Sequence, residues 1–268
     1  NLATIPLNVP AALVVGEVLA GRPAILHHHD PPWEREEWSW VTELPLHRPG
    51  WRHVCLSRSA ATAFAERGID ATVVRNAFAE PAPADRDAVR SRLGVAPDEV
   101  LVAHPVRAIP RKEVPTAVAL TEELGGTYWL LGPAEDGYGP TLERVLGAAR
   151  CPVVHRSWPS IDEIYAAADL VAYPSSWEGF GNPPIEAALR LRPAAVGGYP
   201  VAAELRELGF HFLEPTDAEG ALRAVESPLP AEVVFGADVN RKLARTQFST
   251  AALGDALTAL LDEAGWSP

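Results

Sequence analysis

The sequence predicts an α/β protein with parallel sheets covered by helices on both faces. Two observations carry this. From about residue 99 short apolar runs alternate with stretches of helical period, the pattern of repeated βα units. The chain is also of the right kind: its 268 residues suit one large domain or two modest ones, and an apolar content of 47% is enough for a sizeable core.

In chain order, "PAILHHH", "RHVCLS" and "ATVVRN" read as three short strands. The helical "SAATAFAERG" lies between the last two and is closed by Gly68 as a C-cap. "AFAEPAPADRD" is rich in Ala, Pro and charge and reads as a linker between two lobes. Beyond it come the strand "EVLVAHP", the helix "VPTAVALTEEL", the strand "TYWLLG", the helix "TLERVLGAAR" and the strand "PVVHRS". "SIDEIYAAA" opens on Ser160 with Glu163 three residues later, a capping-box signature. The strand "DLVAYPSS" stops at a proline, and "PPIEAALRL", "PAAVG" and "VAAELREL" follow as helix, strand and helix. The tail "STAALGDALTALLDEAG" is an amphipathic helix with Ser249 as its N-cap. The expected division is a first lobe over 1–80, a second over 81–248 and a closing helix over 249–268.

With 23 Lys plus Arg against 35 Asp plus Glu, the formal charge of −12 argues against a nucleic-acid partner, which needs a basic surface. Cys55 and Cys151 sit in apolar runs and read as core residues of a reducing compartment, the cytoplasm. No apolar stretch is long enough for membrane insertion.

The most informative stretch is "PSSWEGFGNPPIEAA", Pro174 to Ala188. Asn182 is a good N-cap and Pro183 suits the first helical position, so the turn delivers a helix N-terminus, a site that favours anions. Gly179 and Gly181 allow the backbone to approach a ligand. Glu186, in the first turn, can accept from vicinal hydroxyls. A plain strand-to-helix turn with capping carboxylates explains the same residues. "HPVRAIPRKEVP" places Arg107, Arg111 and Lys112 at a strand carboxyl end of an otherwise acidic chain, where they suit a diphosphate or form a solvated charge cluster.

On these residues the chain resembles retaining glycosyltransferases of family four, which have the two-lobed GT-B fold of Rossmann-like domains. The Pro-Ser, Glu-Gly-Phe-Gly and second Glu of that family run complete from Pro174 to Glu186, and Arg107 with Lys112 matches its Arg-then-Lys pair. "VVRNAF" is similar to the segment that closes the first lobe, and "ILHHHD" to the strand-end histidine that faces the donor sugar, here His29. The resemblance covers about residues 24 to 262 and is concentrated in the second lobe. It implies transfer of a sugar, with retention, from a nucleotide-sugar substrate to a hydroxyl acceptor of unknown identity, with no cofactor and no metal. Glu186 would bind the ribose, Glu178 would face the sugar, and backbone N–H groups of Phe180, Gly181 and Asn182 would touch phosphate and sugar. Arg107 and Lys112 would neutralise the leaving diphosphate, and Arg156, Ser157 and Trp158 would line the base. An epimerase or phosphorylase acting on sugar phosphates, and a nucleotide-sugar-binding protein without turnover, are the competing functions.

Four features depart from the pattern or stand beside it. Pro183 and Pro184 lack the N–H groups that a first helical turn would offer a phosphate. Val106 stands where the family has glycine. His27 and His29 share a strand face next to Asp30, which fits a zinc site, a sugar-facing His29 or a plain strand end alike. The Trp-rich "PPWEREEWSW" suits either a loop that stacks on a ligand or one that packs on the lobe. With about 80 residues before the linker and about 185 after it, the first lobe is expected to lack roughly 70–100 residues before Asn1 and to show an exposed strand edge.

Overall fold

A computed structural model describes residues 1, 2, 4, 8–34, 38 and 40–266. Arg35, Glu36, Glu37 and Ser39 of the Trp-rich segment lie outside the described residues, as do Ser267 and Pro268. The chain divides into two compact units, Asn1–Ala77 with Thr250–Pro268, and Phe78–Ser249.

The first unit is built on three parallel strands, β1 (Ala24–His28), β2 (Trp51–Cys55) and β3 (Ala71–Val73), in that spatial order. Helix α1 (Val9–Val18), which the sequence pattern did not single out, is started by Asn8, whose side chain accepts from Ala11 N at 3.0 Å. Helix α2 (Arg58–Ala65) is capped in the same way by Ser57. Gly68, three residues past its end, takes a φ of +73°, which only glycine adopts without strain. The core on one side of the sheet gathers Cys55, Ala60, Phe64 and Ile69. Val54 and Val74 pack with Leu260 on the C-terminal helix Thr250–Glu263 (α11), which belongs to this unit. Leu253, Ala256, Leu257 and Leu260 recur at helical spacing, so one stripe of that helix is buried.

The second unit holds a five-stranded parallel sheet: β4 (Leu101–His104), β5 (Thr127–Leu130), β6 (Val153–His155), β7 (Leu170–Tyr173) and β8 (Ala194–Val196). The spatial order is β6-β5-β4-β7-β8. Every residue of β4, β5, β7 and β8 is buried, which is why these strands read as unbroken apolar runs. The connecting helices are α3 (Arg86–Leu93), α4 (Val114–Glu123), α5 (Gly139–Ala148), α6 (Ile161–Ala167), α7 (Asn182–Leu189) and α8 (Pro200–Glu207), followed by α9 (Ala218–Ala224) and α10 (Ala231–Gln247).

Two readings of the sequence are corrected here. The linker is shorter than expected, because Asp85 caps α3 by accepting from Ala88 N and Arg86 is already helical. Arg86 and Arg90, one turn apart on α3, both reach Asp169 ahead of β7, at 2.5 and 3.2 Å. Asp169 also accepts from Leu101 N at 2.8 Å, so one carboxylate ties α3 to the amino ends of β4 and β7. The second is the stretch after α8, to which no element was assigned and which α9 and α10 fill.

The chain enters the sheet at β4, steps outward to β5 and β6, and returns past β4 to β7 and β8. The order therefore reverses between β4 and β7. Ligands of open parallel sheets bind beyond the carboxyl ends of the strands at such a point.

Candidate functional site

The loops that leave β4 and β7 meet beyond those carboxyl ends. After β4 the chain runs through Val106 and Arg107 into a single 3-10 turn, Pro110–Lys112. Glu113 then takes φ +53° and ψ +48°, a left-handed conformation that starts α4. This turn aims Arg111 and Lys112 at the β7 loop. Ser176 N donates to the Arg111 carbonyl at 3.0 Å, and the Arg111 guanidinium donates to the Trp177 carbonyl at 2.8 Å.

A left-handed residue other than glycine is strained by about 1–2 kcal/mol, part of which glycine gives back through its unfolded-state entropy. Glu113→Gly is therefore expected to stabilise the unit by about 0.5–1 kcal/mol, read as a raised urea midpoint. A lowered midpoint would show that the Glu113 side chain makes a compensating contact.

Glu178 is the centre of the site. It is 7% exposed, accepts from the buried Lys112 ammonium and accepts from Arg111 at 2.9 Å. Lys112 also lies 3.3 Å from the Tyr173 hydroxyl. Burial works against the charge on Glu178, but the Lys112 and Arg111 charges and their hydrogen bonds outweigh it, so the carboxyl is held below its ordinary value. Burial pulls Lys112 below the ordinary lysine value, against the attraction of Glu178. Beneath the pair, His104 at the end of β4 is fully buried and bonded to the Tyr128 hydroxyl at 2.7 Å. Burial and the Lys112 charge lower its pKa to about 3, so it stays neutral.

The Gly-Phe-Gly turn is shaped by close approach. Gly181 has φ +84°, and a Cβ there would lie 2.6 Å from the Tyr199 hydroxyl. Gly181, not Asn182, is the cap residue of α7. Asn182 is the first helical residue and is exposed, and the two prolines follow it. Phe180 is 5% exposed and stacks towards Phe78 and Phe248 within this unit, which holds the turn down. Two further glycines escaped the sequence reading. A Cβ on Gly132, after β5, would strike the Val106 carbonyl, and one on Gly197, after β8, would strike the Ser175 carbonyl. Each lets a flanking loop close on the β4 or the β7 loop, so the close backbone approach missing at Val106 is supplied by its neighbour.

The remaining candidates divide. Glu186, one turn into α7, is half-buried and accepts from the Tyr165 hydroxyl at 2.7 Å. Burial raises its pKa, opposed by that hydrogen bond and by Arg190. Arg107 does not reach Glu178. It is exposed and pairs with Glu135 at 2.6 Å, while Arg111 takes the place beside Lys112. Arg156 is exposed, with its guanidinium donating to the Arg92 carbonyl at 3.1 Å, and Ser157 is exposed beside it. Trp158 is a core residue rather than an open platform. It packs edge-on against Trp129, lies under the guanidiniums of Arg92 and Arg156, and donates to Glu163 at 2.6 Å. Glu163 thus serves Trp158, while its N–H donates to the Ser160 cap at 3.3 Å.

His29 belongs to the first unit, exposed just past β1 with its ring 4.5 Å from that of His27. Among the described residues no three His, Cys, Asp or Glu side chains are arranged to hold a metal ion. The Trp-rich segment splits: Trp33 packs edge-on against Phe64 under Arg67, and Trp40 is 74% exposed. Cys55 is buried and Cys151 half-buried, and neither is in a disulfide. No described helix is long and apolar enough to cross a membrane.

No family model matches the chain. Curated relatives do. The chain is 35% identical over 147 residues to the D-inositol 3-phosphate glycosyltransferase of Mycobacteroides abscessus, a match covering 50% of this chain and 32% of that protein. It is 37% identical over 141 residues to the protein of the same name from Actinosynnema mirum, covering 45% and 34%. The matched stretch thus spans about a third of these relatives. Among solved structures, Anabaena HepE in complex with UDP-glucose superposes with a TM-score of 0.76 at 24% identity, covering 94% of this chain and 76% of that one. WaaG, a glycosyltransferase involved in lipopolysaccharide biosynthesis, superposes at 0.70 with 16% identity, covering 94% and 82%. The chain has the GT-B fold, and the curated proteins its sequence resembles are named glycosyltransferases.

Proposed function

We propose that the second unit binds a nucleotide-sugar donor beyond the carboxyl ends of β4 and β7. The chain then belongs to an enzyme that moves the sugar to a hydroxyl acceptor with retention and without a metal. The observation that carries this is the convergence of Arg111 and Lys112 with Glu178 and the Gly179–Gly181 turn at the point where the strand order reverses. In this reading the bond from the sugar's anomeric carbon to the diphosphate breaks, and the acceptor oxygen bonds to that carbon on the same face. The acceptor's proton passes to the departing diphosphate. Charge placed where the leaving group develops its own is often the largest contribution to catalysis, and Lys112 with Arg107 and Arg111 supplies it. Arg107 reaches the phosphates by exchanging Glu135 for them. With Pro183 and Pro184 lacking donors, these cations carry more of the anion binding than the helix N-terminus does. Glu186 accepts from the ribose hydroxyls with Tyr165 steadying it.

Because the HepE structure holds UDP-glucose, uridine diphosphate is the first ligand to test, with the guanosine and adenosine diphosphates beside it. A cognate nucleotide should raise the melting temperature of the full chain by mass action. By calorimetric titration, Glu186→Gln should weaken its binding by about 1.5–3 kcal/mol, the range for hydrogen bonds to a charged group. Unchanged affinity would remove the ribose role. Transfer of labelled sugar that persists in EDTA supports the metal-free reading, and a rate restored only by Mg²⁺ or Mn²⁺ rejects it.

A further inference from the structure

At the far end of α7 from the Gly-Phe-Gly turn, the second unit has a hollow of about 270 Å³ between that helix, α10 and the chain ahead of α3. Four arginines line it: Arg190, Arg192, Arg241 and Arg245. This runs against the composition, since the whole chain carries a formal charge of −12. Only part of the local charge is matched. Arg190 pairs with Asp162 at 2.5 Å and Arg245 with Glu80 at 2.6 Å. Arg192 donates to the Tyr165 carbonyl at 2.7 Å and makes no direct ion pair among the described residues, and the Asp169 carboxylate that acts on its charge is already shared by Arg86 and Arg90. Arg241 has no ion pair or hydrogen bond among the described residues. It stands one turn from Arg245 on the same face of α10, an arrangement that two like charges disfavour.

We propose that this hollow is a binding site for a phosphomonoester group, distinct from the donor site. The guanidinium fork matches the geometry of phosphate oxygens, and an anion there would relieve the excess charge of Arg192 and Arg241. The volume is near the lower end for small-ligand sites, so it admits a small organic group beside the phosphate as well as phosphate alone.

The test is calorimetric titration of the full chain at low ionic strength, in saturating uridine diphosphate, with inorganic phosphate in one arm and glucose 6-phosphate in another. One-site binding in either arm is expected, and the tighter arm tells free phosphate from a phosphorylated sugar. Arg241→Gln should weaken that binding roughly tenfold or more, as loss of one charge-assisted hydrogen bond implies, and leave nucleotide affinity unchanged. Arg245→Gln serves as a second variant, with circular dichroism confirming the fold of each. Absence of binding by the unaltered chain, or equal affinity in both folded variants, would overturn the proposal.

Discussion

Glu178→Ala is expected to destabilise the second unit by about 3–5 kcal/mol, because it strands a buried ammonium. Lys112 and Glu178 are each 7% exposed, and removing the carboxylate leaves Lys112 facing Arg111 with no counter-charge. Arg107→Ala is the contrast. That side chain is 56% exposed, and breaking its pair with Glu135 should cost about 0–1 kcal/mol, the range of surface ion pairs. Lys112→Ala, unlike Arg107→Ala, is therefore expected to lower stability as well as turnover. Urea unfolding separates the cases. A double variant, Lys112→Met with Glu178→Leu, removes both charges and should recover most of the stability while remaining inactive in sugar transfer. A loss below about 1 kcal/mol for Glu178→Ala would show that water reaches the pair. The pH dependence has a definite sign. The Glu178 carboxyl in the folded state lies below its ordinary 4.5, so its contribution is complete above that value and is lost as pH falls through the folded one.

How much of this was legible in the sequence follows from what each feature depends on. The β7 loop was legible because its requirements are local: glycines where the backbone crowds a neighbour, and prolines that cannot sit in a strand. The choice between Arg107 and Arg111 was not. Both lie in one short basic loop, and their partners, Glu178 for Arg111 and Glu135 for Arg107, come from loops distant in sequence. Helix α10 was missed because its buried line is Gly236, Asn240 and Ala244, small or polar residues at a spacing of four. Asn240 earns its place by bonding both the N–H and the carbonyl of His211, at 2.7 and 2.8 Å. Gly132 and Gly197 serve loops that are distant in sequence, so nothing beside them announces the role. The histidine run drew attention to the face shared by His27 and His29, while the contacts of His28 on the other face involve partners 24 and 25 residues away.

Those contacts lead to the second large effect: the first unit should lose stability steeply in mild acid. Thr4 Oγ1 lies 2.5 Å from His28 Nδ1, His28 Nε2 lies 2.9 Å from His53 Nδ1, and His53 Nε2 lies 2.9 Å from His47 Nδ1. A neutral imidazole donates from one nitrogen and accepts at the other, so the uncharged rings pass hydrogen bonds along the chain. Protonating an inner ring places a charge in a buried site beside other histidines, which burial disfavours. His28 is 1% and His53 2% exposed, and the Phe64 ring lies against both. Burial, followed by the neighbouring histidines, lowers His28 from 6.5 to about 3 and His53 to about 4. A folded pKa below the unfolded one means that the folded state binds fewer protons. The stabilisation is therefore complete above pH 6.5 and falls as pH drops towards those folded values. Each histidine contributes a slope of about 1.4 kcal/mol per pH unit within that window. Thermal unfolding followed from pH 7.5 to 5 should show the first unit melting progressively earlier. His53→Gln, which keeps a donor and an acceptor but does not titrate, should flatten the slope by one histidine's share. A slope that His53→Gln leaves untouched, or imidazole resonances that titrate near 6.5 in the folded protein, would show that these rings are open to water.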